Sequence, residues 1–369
     1  MAHNFWGDEL PSRVDLPPEA PAERPGYGRI DFEKLPNTRD LGGMVGADGR
    51  HVKHGHLLRS GTLGFGSDAD IARLRDEYDL RLVVDFRNLI ELSELPDPMD
   101  RIPQARFLHA EIFSDQQVGV TQEHTKTEFE YRLEALAEGD PIEFMTLLYP
   151  HMLIDETGIE GYRSFVRAVI DAKDGSALWH CYVGRDRCGM GSALVETMLG
   201  VSRDDILNDY LATNLYAPIE LTLDSPASRC YFEAVEQALE PRGSFMGYLT
   251  GTLDITEAEI AAFRERISNR NPPCIGRRDV VIPTAPVIFR AAHPQMGSHR
   301  TTPSPYSGSF GESLAVFTAP SEQEPSASLD RSSDGASDGT SGDVTNSSSA
   351  QVRAASSSIS ARMLAVHRS

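Results

Sequence analysis

No run of this 369-residue chain approaches the roughly 18 consecutive apolar residues that a membrane-spanning helix requires, so stable membrane insertion is not expected. The first residues, among them Asn4, Asp8 and Glu9, carry neither the basic nor the apolar segment of a secretory signal, and the expectation is a soluble, cytoplasmic protein. Cysteine is scarce: Cys181, Cys188, Cys230 and Cys274 are the four present, without paired spacing and without a Cys-x2-Cys pattern. That argues against a disulfide framework or a zinc site of the usual spacing and fits a reducing compartment. His51, His54 and His56 are read as side chains of an exposed hairpin rather than ligands, so no metal is expected, and no cofactor. Basic residues are outnumbered, 35 Lys and Arg against 55 Asp and Glu, for a formal net charge of −20. Such a balance speaks against nucleic-acid partners and anionic membranes, while leaving room for a local basic pocket.

The acidity is confined to one part of the chain. Residues 275–369 hold eight Arg, no Lys and eight Asp plus Glu, so the whole surplus falls before them. Within that tail, residues 326–360 are mostly Ser, Gly, Asp and Ala with no aromatic residue, and such a composition cannot bury enough apolar surface to offset chain entropy. Residues 274–369 are therefore read as a low-complexity, disordered tail. Residues 1–28, with Pro11, Pro17, Pro18, Pro21 and Pro25, show no helical or strand period and read as an extended lead-in. One folded domain is left, at 29–273.

Inside that domain short apolar runs alternate with amphipathic ones, the pattern of an α/β fold. Gly46 to Arg50 is a turn between short strands. Ser67 and Asp68 precede Ile71, Leu74 and Tyr78 at helical spacing. Leu80 to Asp85 is a strand ending in Asp85. Helices are expected over Thr127 to Ala137, Ile142 to Leu153 and Gly161 to Ala172, then from Ser202 through Asn214. Thr256-Glu257-Ala258-Glu259 is a capping box opening a last helix.

The chemistry concentrates in Leu178 to Gly189, which reads as a buried strand, a glycine-containing turn and the start of a helix. Cys181 is followed six residues later by Arg187. The intervening Tyr182, Val183, Gly184, Arg185 and Asp186 form a loop whose N–H groups converge at a helix N-terminus, where an oxyanion is attracted and a thiolate favoured. The planar guanidinium of Arg187 matches two phosphate oxygens.

With His180 before the cysteine and Gly189 closing the run, this stretch resembles the phosphate-binding loop of cysteine-dependent phosphatases, specifically the bacterial tyrosine/serine protein phosphatases. Asn37-Thr38-Arg39-Asp40-Leu41-Gly42-Gly43 resembles that family's N-terminal signature, followed by Leu58-Arg59-Ser60-Gly61 and Val84-Asp85-Phe86-Arg87. The resemblance covers about residues 30–272 and departs at Arg185, where lysine is usual, and Cys188, where threonine is usual. It implies a cysteine-phosphatase-like central sheet flanked by helices, with a helical insertion within 116–150 that would serve as a lid.

It also implies roles. Cys181 would attack phosphorus and form a phosphocysteine, Arg187 and the loop N–H groups would hold the phosphate, and His180, Cys188, Asn37, Arg39 and Asp40 would support the loop. Asp85 is the first candidate for the general acid and Asp186 the second; Asp85 has the alternative of capping the next helix or pairing with Arg87, and Asp186 that of bracing the loop. Cys188 would put a second sulfur beside Cys181, open to a reversible disulfide. The expected substrate is a phosphorylated protein, phosphotyrosine first and phosphoserine or phosphothreonine after it, or a phosphoinositide recognised with help from Arg185. A phosphate-binding pseudophosphatase and a cysteine-based sulfurtransferase are the readings from other classes.

Overall fold

The computed structural model describes residues 2–113 and 128–270. The tail at 274–369 and part of the expected lid, 114–127, lie outside the described residues.

The strands are β1 (Ala2–His3), β2 (Glu9–Leu10), β3 (Arg39–Asp40), β4 (His51–Val52), β5 (Leu57–Ser60), β6 (Leu80–Asp85), β7 (Arg106–His109), β8 (Ser176–His180) and β9 (Ser268–Asn269). Five of them form a central mixed sheet in the order β3-β5-β8-β6-β7, all parallel except β3. The strand bearing Asp85 and the strand leading to Cys181 are thus parallel neighbours, with Asp85 opposite His180 and Ser60 on His180's other side. In such sheets ligands gather beyond the carboxyl ends of the strands, and that edge carries Ser60, His180 and Asp85.

Helices flank the sheet: α1 (Asp68–Asp76), α2 (Leu89–Glu94), α3 (Glu128–Ala137), α4 (Pro141–Leu148), α5 (His151–Ile154), α6 (Glu156–Asp171), α7 (Asp186–Leu199), α8 (Arg203–Leu211), α9 (Thr213–Tyr216), α10 (Ile219–Asp224), α11 (Arg229–Leu239), α12 (Ser244–Gly251) and α13 (Glu257–Ile267). Because successive strand residues point to opposite faces, β8 sends Ala177 and Trp179 into one core, with Phe165 of α6 and Leu194 of α7, and Leu178 into the other, with Ile71 and Leu74 of α1. A sheet covered on both faces explains why its strands read as continuous apolar runs. Trp179 anchors the first core: its ring meets Phe165 edge-on at 5.3 Å and its indole N–H donates to Ser192 Oγ at 3.0 Å.

Local signals acted where they were read. Ser67 caps α1 and Thr256 caps α13, each in a full capping box. Two helices differ from expectation. The run from Ile142 to Leu153 is broken into α4 and α5 around Tyr149 and Pro150, because a proline has no N–H to continue the ladder. The helix expected from Ser202 through Asn214 ends at Leu211, and α9 takes over. The turn at Gly46 to Arg50 forms, with the Gly46 N–H donating to Arg50 O at 2.9 Å, and the chain on either side pairs across it, Val45 with His51 and the Val52 N–H donating to Met44 O at 2.8 Å, while His51–Val52 also pairs with distant β9.

The lead-in lies against the domain. Arg24 donates to Asp40 O at 2.9 Å and pairs with Asp209 of α8 at 2.8 Å, and Asp15 accepts from the Ser228 hydroxyl at 2.9 Å and the Arg229 N–H at 2.8 Å at the start of α11.

Candidate active site

Residues 180–187 leave β8, turn and enter α7. Gly184 is required at the turn: its φ is +75°, and a Cβ there would stand 2.6 Å from Ser60 O. The loop is held from below by side chains of the Asn37 and Leu58 blocks. Asn37 donates to Val183 O and Gly184 O, both at 3.2 Å, and Arg59 donates to Gly184 O at 2.9 Å. Arg59 in turn meets Asp209, which also binds Arg39 at 2.9 Å. One buried carboxylate therefore serves three arginines, counting Arg24, and burial of Asp209, though it opposes charge, is outweighed by them, so its pKa falls far below the usual carboxylate range. Asp40 accepts from the Gly42 and Gly55 N–H groups at 2.8 Å each, shaping its own turn.

With the carbonyls so occupied, the amides are left facing the other way. Among the described residues, no backbone carbonyl accepts from the N–H groups of Tyr182, Val183, Gly184 or Arg185. Buried amides are nearly always paired, and a row of unpaired ones running into a helix N-terminus is a site for an oxyanion. Cys181 lies at the base of this loop, 1% exposed.

Arg187 is aimed by a residue that the sequence reading did not assign. Its Nη1 and Nη2 donate to the two oxygens of Glu91 at 2.6 and 2.9 Å. Burial opposes the Arg187 charge, but Glu91 more than restores it, and Cys181 and Asp186 add to that. A guanidinium has five N–H groups; beside this end-on pairing and the Nη1 contact to Phe86 O at 3.5 Å, Nε has no partner among the described residues, so the edge that carries it can meet two further oxygens. Glu91 itself is set by α2: its Oε2 accepts from the Asn88 N–H at 3.0 Å, and the Glu91 N–H donates to Asn88 Oδ1 at 2.9 Å. The Asn-x-x-Glu capping pattern was visible in the sequence; its second use was not.

His180 donates from both ring nitrogens, Nδ1 to Cys181 O at 3.0 Å and Nε2 to Asp97 at 2.8 Å. A carbonyl and a carboxylate can only accept, so the ring is the imidazolium. Burial disfavours that charge, but Asp97 and Asp85 outweigh it and raise the pKa. Asp97 was not foreseen.

Asp85 is fully buried and its carboxylate is taken up by Arg87, through the backbone N–H at 2.9 Å, Nε at 3.0 Å and Nη2 at 2.8 Å. Burial alone would raise its pKa, yet His180 and Arg87 bring it below the ordinary value. Asp85, Asp97 and His180 bring ligand atoms within 4.8 Å of one another, but Arg87 lies 2.8 Å from Asp85 and 3.4 Å from Asp97, so a cation already occupies their company. Asp186 opens α7. Its Oδ1 accepts from Arg185 Nε at 2.8 Å and from the hydroxyl of Tyr149. Burial opposes its charge too, but Arg185 and Tyr149 hold its pKa below the usual range. Arg185 spends its other bond on Ser225 O. The Cys188 thiol donates to Trp179 O at 3.6 Å, and burial pushes its pKa up to about 12. Tyr182 is half-buried with Phe65 edge-on at 5.9 Å.

A family model described as the tyrosine phosphatase family matches residues 30–269. The chain belongs to that family. It is also 30% identical over 263 residues, 66% of this chain and 91% of the relative, to a protein of Cupriavidus necator named "putative tyrosine-protein phosphatase". The phosphatase is thus a hydrolase of the protein-tyrosine-phosphatase type. Among its described residues no helix is long and apolar enough to cross a membrane.

Proposed function

We propose that this phosphatase hydrolyses phosphotyrosine in proteins through a phosphocysteine on Cys181. The observation that carries this reading is the row of loop amides around Cys181 that no backbone carbonyl among the described residues pairs, together with an Arg187 fixed by Glu91. In the first step the Cys181 thiolate attacks phosphorus. An S–P bond forms, the P–O bond to tyrosine breaks, and its electron pair goes to the phenolic oxygen, which takes a proton from a carboxylic acid. In the second step water attacks the phosphocysteine and gives its proton back to that carboxylate, while the S–P electron pair returns to sulfur and phosphate leaves. Arg187 and the loop amides carry the charge on the equatorial oxygens in both steps.

Asp186 is the better acid of the two candidates. Its side chain is 18% exposed where that of Asp85 is 0%, and among the described residues only its Oδ1 is bonded, whereas both oxygens of Asp85 serve Arg87. A bound dianion beside Asp186 would raise its low pKa and so load it with the proton it must give. Asp85 then acts as a brace between His180 and Arg87.

Arg185 favours a ligand with one phosphate. Its Nε and Nη1 donate to Asp186 and Ser225 O, so each two-donor edge of the guanidinium is already engaged and a second phosphate on an inositol ring would meet chiefly Nη2. A sulfurtransferase has no use for a buried Arg187–Glu91 pair in its loop. The test is turnover of phosphotyrosine peptides, phosphoserine peptides and phosphoinositides by wild type and Cys181→Ser. Phosphotyrosine turnover that disappears in Cys181→Ser is expected; turnover that survives the substitution overturns the mechanism, and binding without turnover by wild type makes the protein a pseudophosphatase.

A further inference from the structure

Asp186 sits at the end of a hydrogen-bond chain whose direction is fixed by its far end. The Ser228 N–H donates to the Tyr210 hydroxyl at 3.3 Å, the Tyr210 hydroxyl to the Tyr149 hydroxyl at 2.7 Å, and the Tyr149 hydroxyl to Asp186 Oδ1. A backbone amide can only donate, and each phenol has one proton to pass on. The opposite direction would leave the buried Tyr210 proton without an acceptor among the described residues, because the Ser228 N–H can only donate to it; the chain therefore runs toward Asp186, and Oδ1 accepts. Arg185 Nε supplies a second donor to the same oxygen. We propose that Tyr149 and Tyr210 are positioning residues for Asp186: they pin Oδ1 as an acceptor so that the catalytic proton is carried on Oδ2. This rests on Asp186 being the general acid.

The surroundings are built to keep the chain in place. Tyr149 is 0% and Tyr210 1% exposed, and hydrogen bonds in such a site polarise one another. Tyr149 lies in the break between α4 and α5, where Pro150 ends one helix and starts the next. Tyr210 leans on α7 at a glycine: a Cβ on Gly189 would stand 2.8 Å from the Tyr210 ring. At the far end, Asp15 of the lead-in accepts from the Ser228 hydroxyl at 2.9 Å, so residues before the domain secure the donor. Burial, then Asp186 beside it, raises the Tyr149 pKa well above its ordinary value, and burial raises that of Tyr210. Both phenols therefore stay protonated over any working pH. The charged and titratable groups around Asp186 are Arg185 and Arg187 of the loop, Tyr149, Tyr210 of α8 and Tyr231 of α11.

The test is the pH profile of kcat and KM with phenyl phosphate, a poor leaving group, and p-nitrophenyl phosphate, a good one, for wild type, Asp186→Asn, Tyr149→Phe and Tyr210→Phe. Tyr149→Phe removes a donor that stabilises the carboxylate, so the Asp186 pKa rises and the basic limb of kcat moves to higher pH. Its plateau should fall about tenfold on phenyl phosphate and less than about threefold on p-nitrophenyl phosphate, with KM nearly unchanged. Tyr210→Phe should move both in the same direction by less, and it carries the test alone if Tyr149→Phe does not fold. Equal losses on the two esters, or an unmoved basic limb, in whichever variant folds overturns the positioning role. If Asp186→Asn itself loses as much on p-nitrophenyl phosphate as on phenyl phosphate, the acid assignment falls and this proposal with it.

Discussion

Arg187 and Glu91, 96 residues apart in the chain, face each other end to end with both guanidinium Nη atoms on both carboxylate oxygens. The pair is buried, with side chains 3% and 0% exposed, and the same carboxylate closes the capping box of α2. Orientation of Arg187, the proposed phosphate clamp, and the start of a helix thus depend on one side chain.

Removing that carboxylate should lower both activity and stability. Glu91→Gln keeps a cap but leaves Arg187 without its counter-ion. Losing one partner of a buried pair costs roughly 3–5 kcal/mol, so the melting temperature should fall, and kcat should drop on every ester by about a hundredfold because the clamp acts in each transition state. Kinetics on two leaving groups and a thermal melt check this; a stable variant with normal kcat would mean that Glu91 does not orient Arg187.

Acid should unfold the phosphatase through the same carboxylates. The folded-state pKa values of Glu91 and Asp209 lie below their ordinary values because arginines outweigh burial. Groups depressed in this way contribute stability above their unfolded pKa, near 4, and lose it as pH falls through the folded pKa. Chemical denaturation between pH 6 and 3 should show stability falling with pH, and Asp209→Asn, less stable at pH 6, should show a shallower fall. Parallel slopes would remove Asp209 from the acid transition.

A single methyl at Gly184 should disable the loop. Gly184→Ala forces an L side chain into positive φ and drives its Cβ against Ser60 O, a strain of about 1 kcal/mol or more before the clash is counted. Turnover should be lost with a modest fall in melting temperature. Full activity would show that the loop can turn without this glycine.

Alkylation should separate the two loop cysteines. With a pKa of about 12 and its proton directed at Trp179 O, Cys188 is a poor nucleophile. Iodoacetamide at neutral pH should label Cys181 and spare Cys188, and peroxide should yield little peptide linked through the two sulfurs. Rapid formation of that linkage would restore the switch that the sequence alone permits.

What the sequence determined by itself is the part that rests on neighbours in the chain. The caps at Ser67 and Thr256 rest on side chains three residues away, and the strand, the turn at Gly184 and the helix start between Leu178 and Arg187 follow local backbone preferences, so their residues announce them even though Asn37 and Arg59 hold the loop from far along the chain. The tertiary structure decided which charge meets which. Asp85 could cap a helix, give a proton or pair with Arg87, and only the packing of β6 beside β8 commits it to Arg87 and His180. Glu91, Asp97, Tyr149, Asp209 and Tyr210 looked like ordinary helix or loop residues, because a carboxylate or phenol has the same local preferences whether its partner is water or an arginine far along the chain. Burial removes the water, and the partner then has to come from wherever the fold brings it.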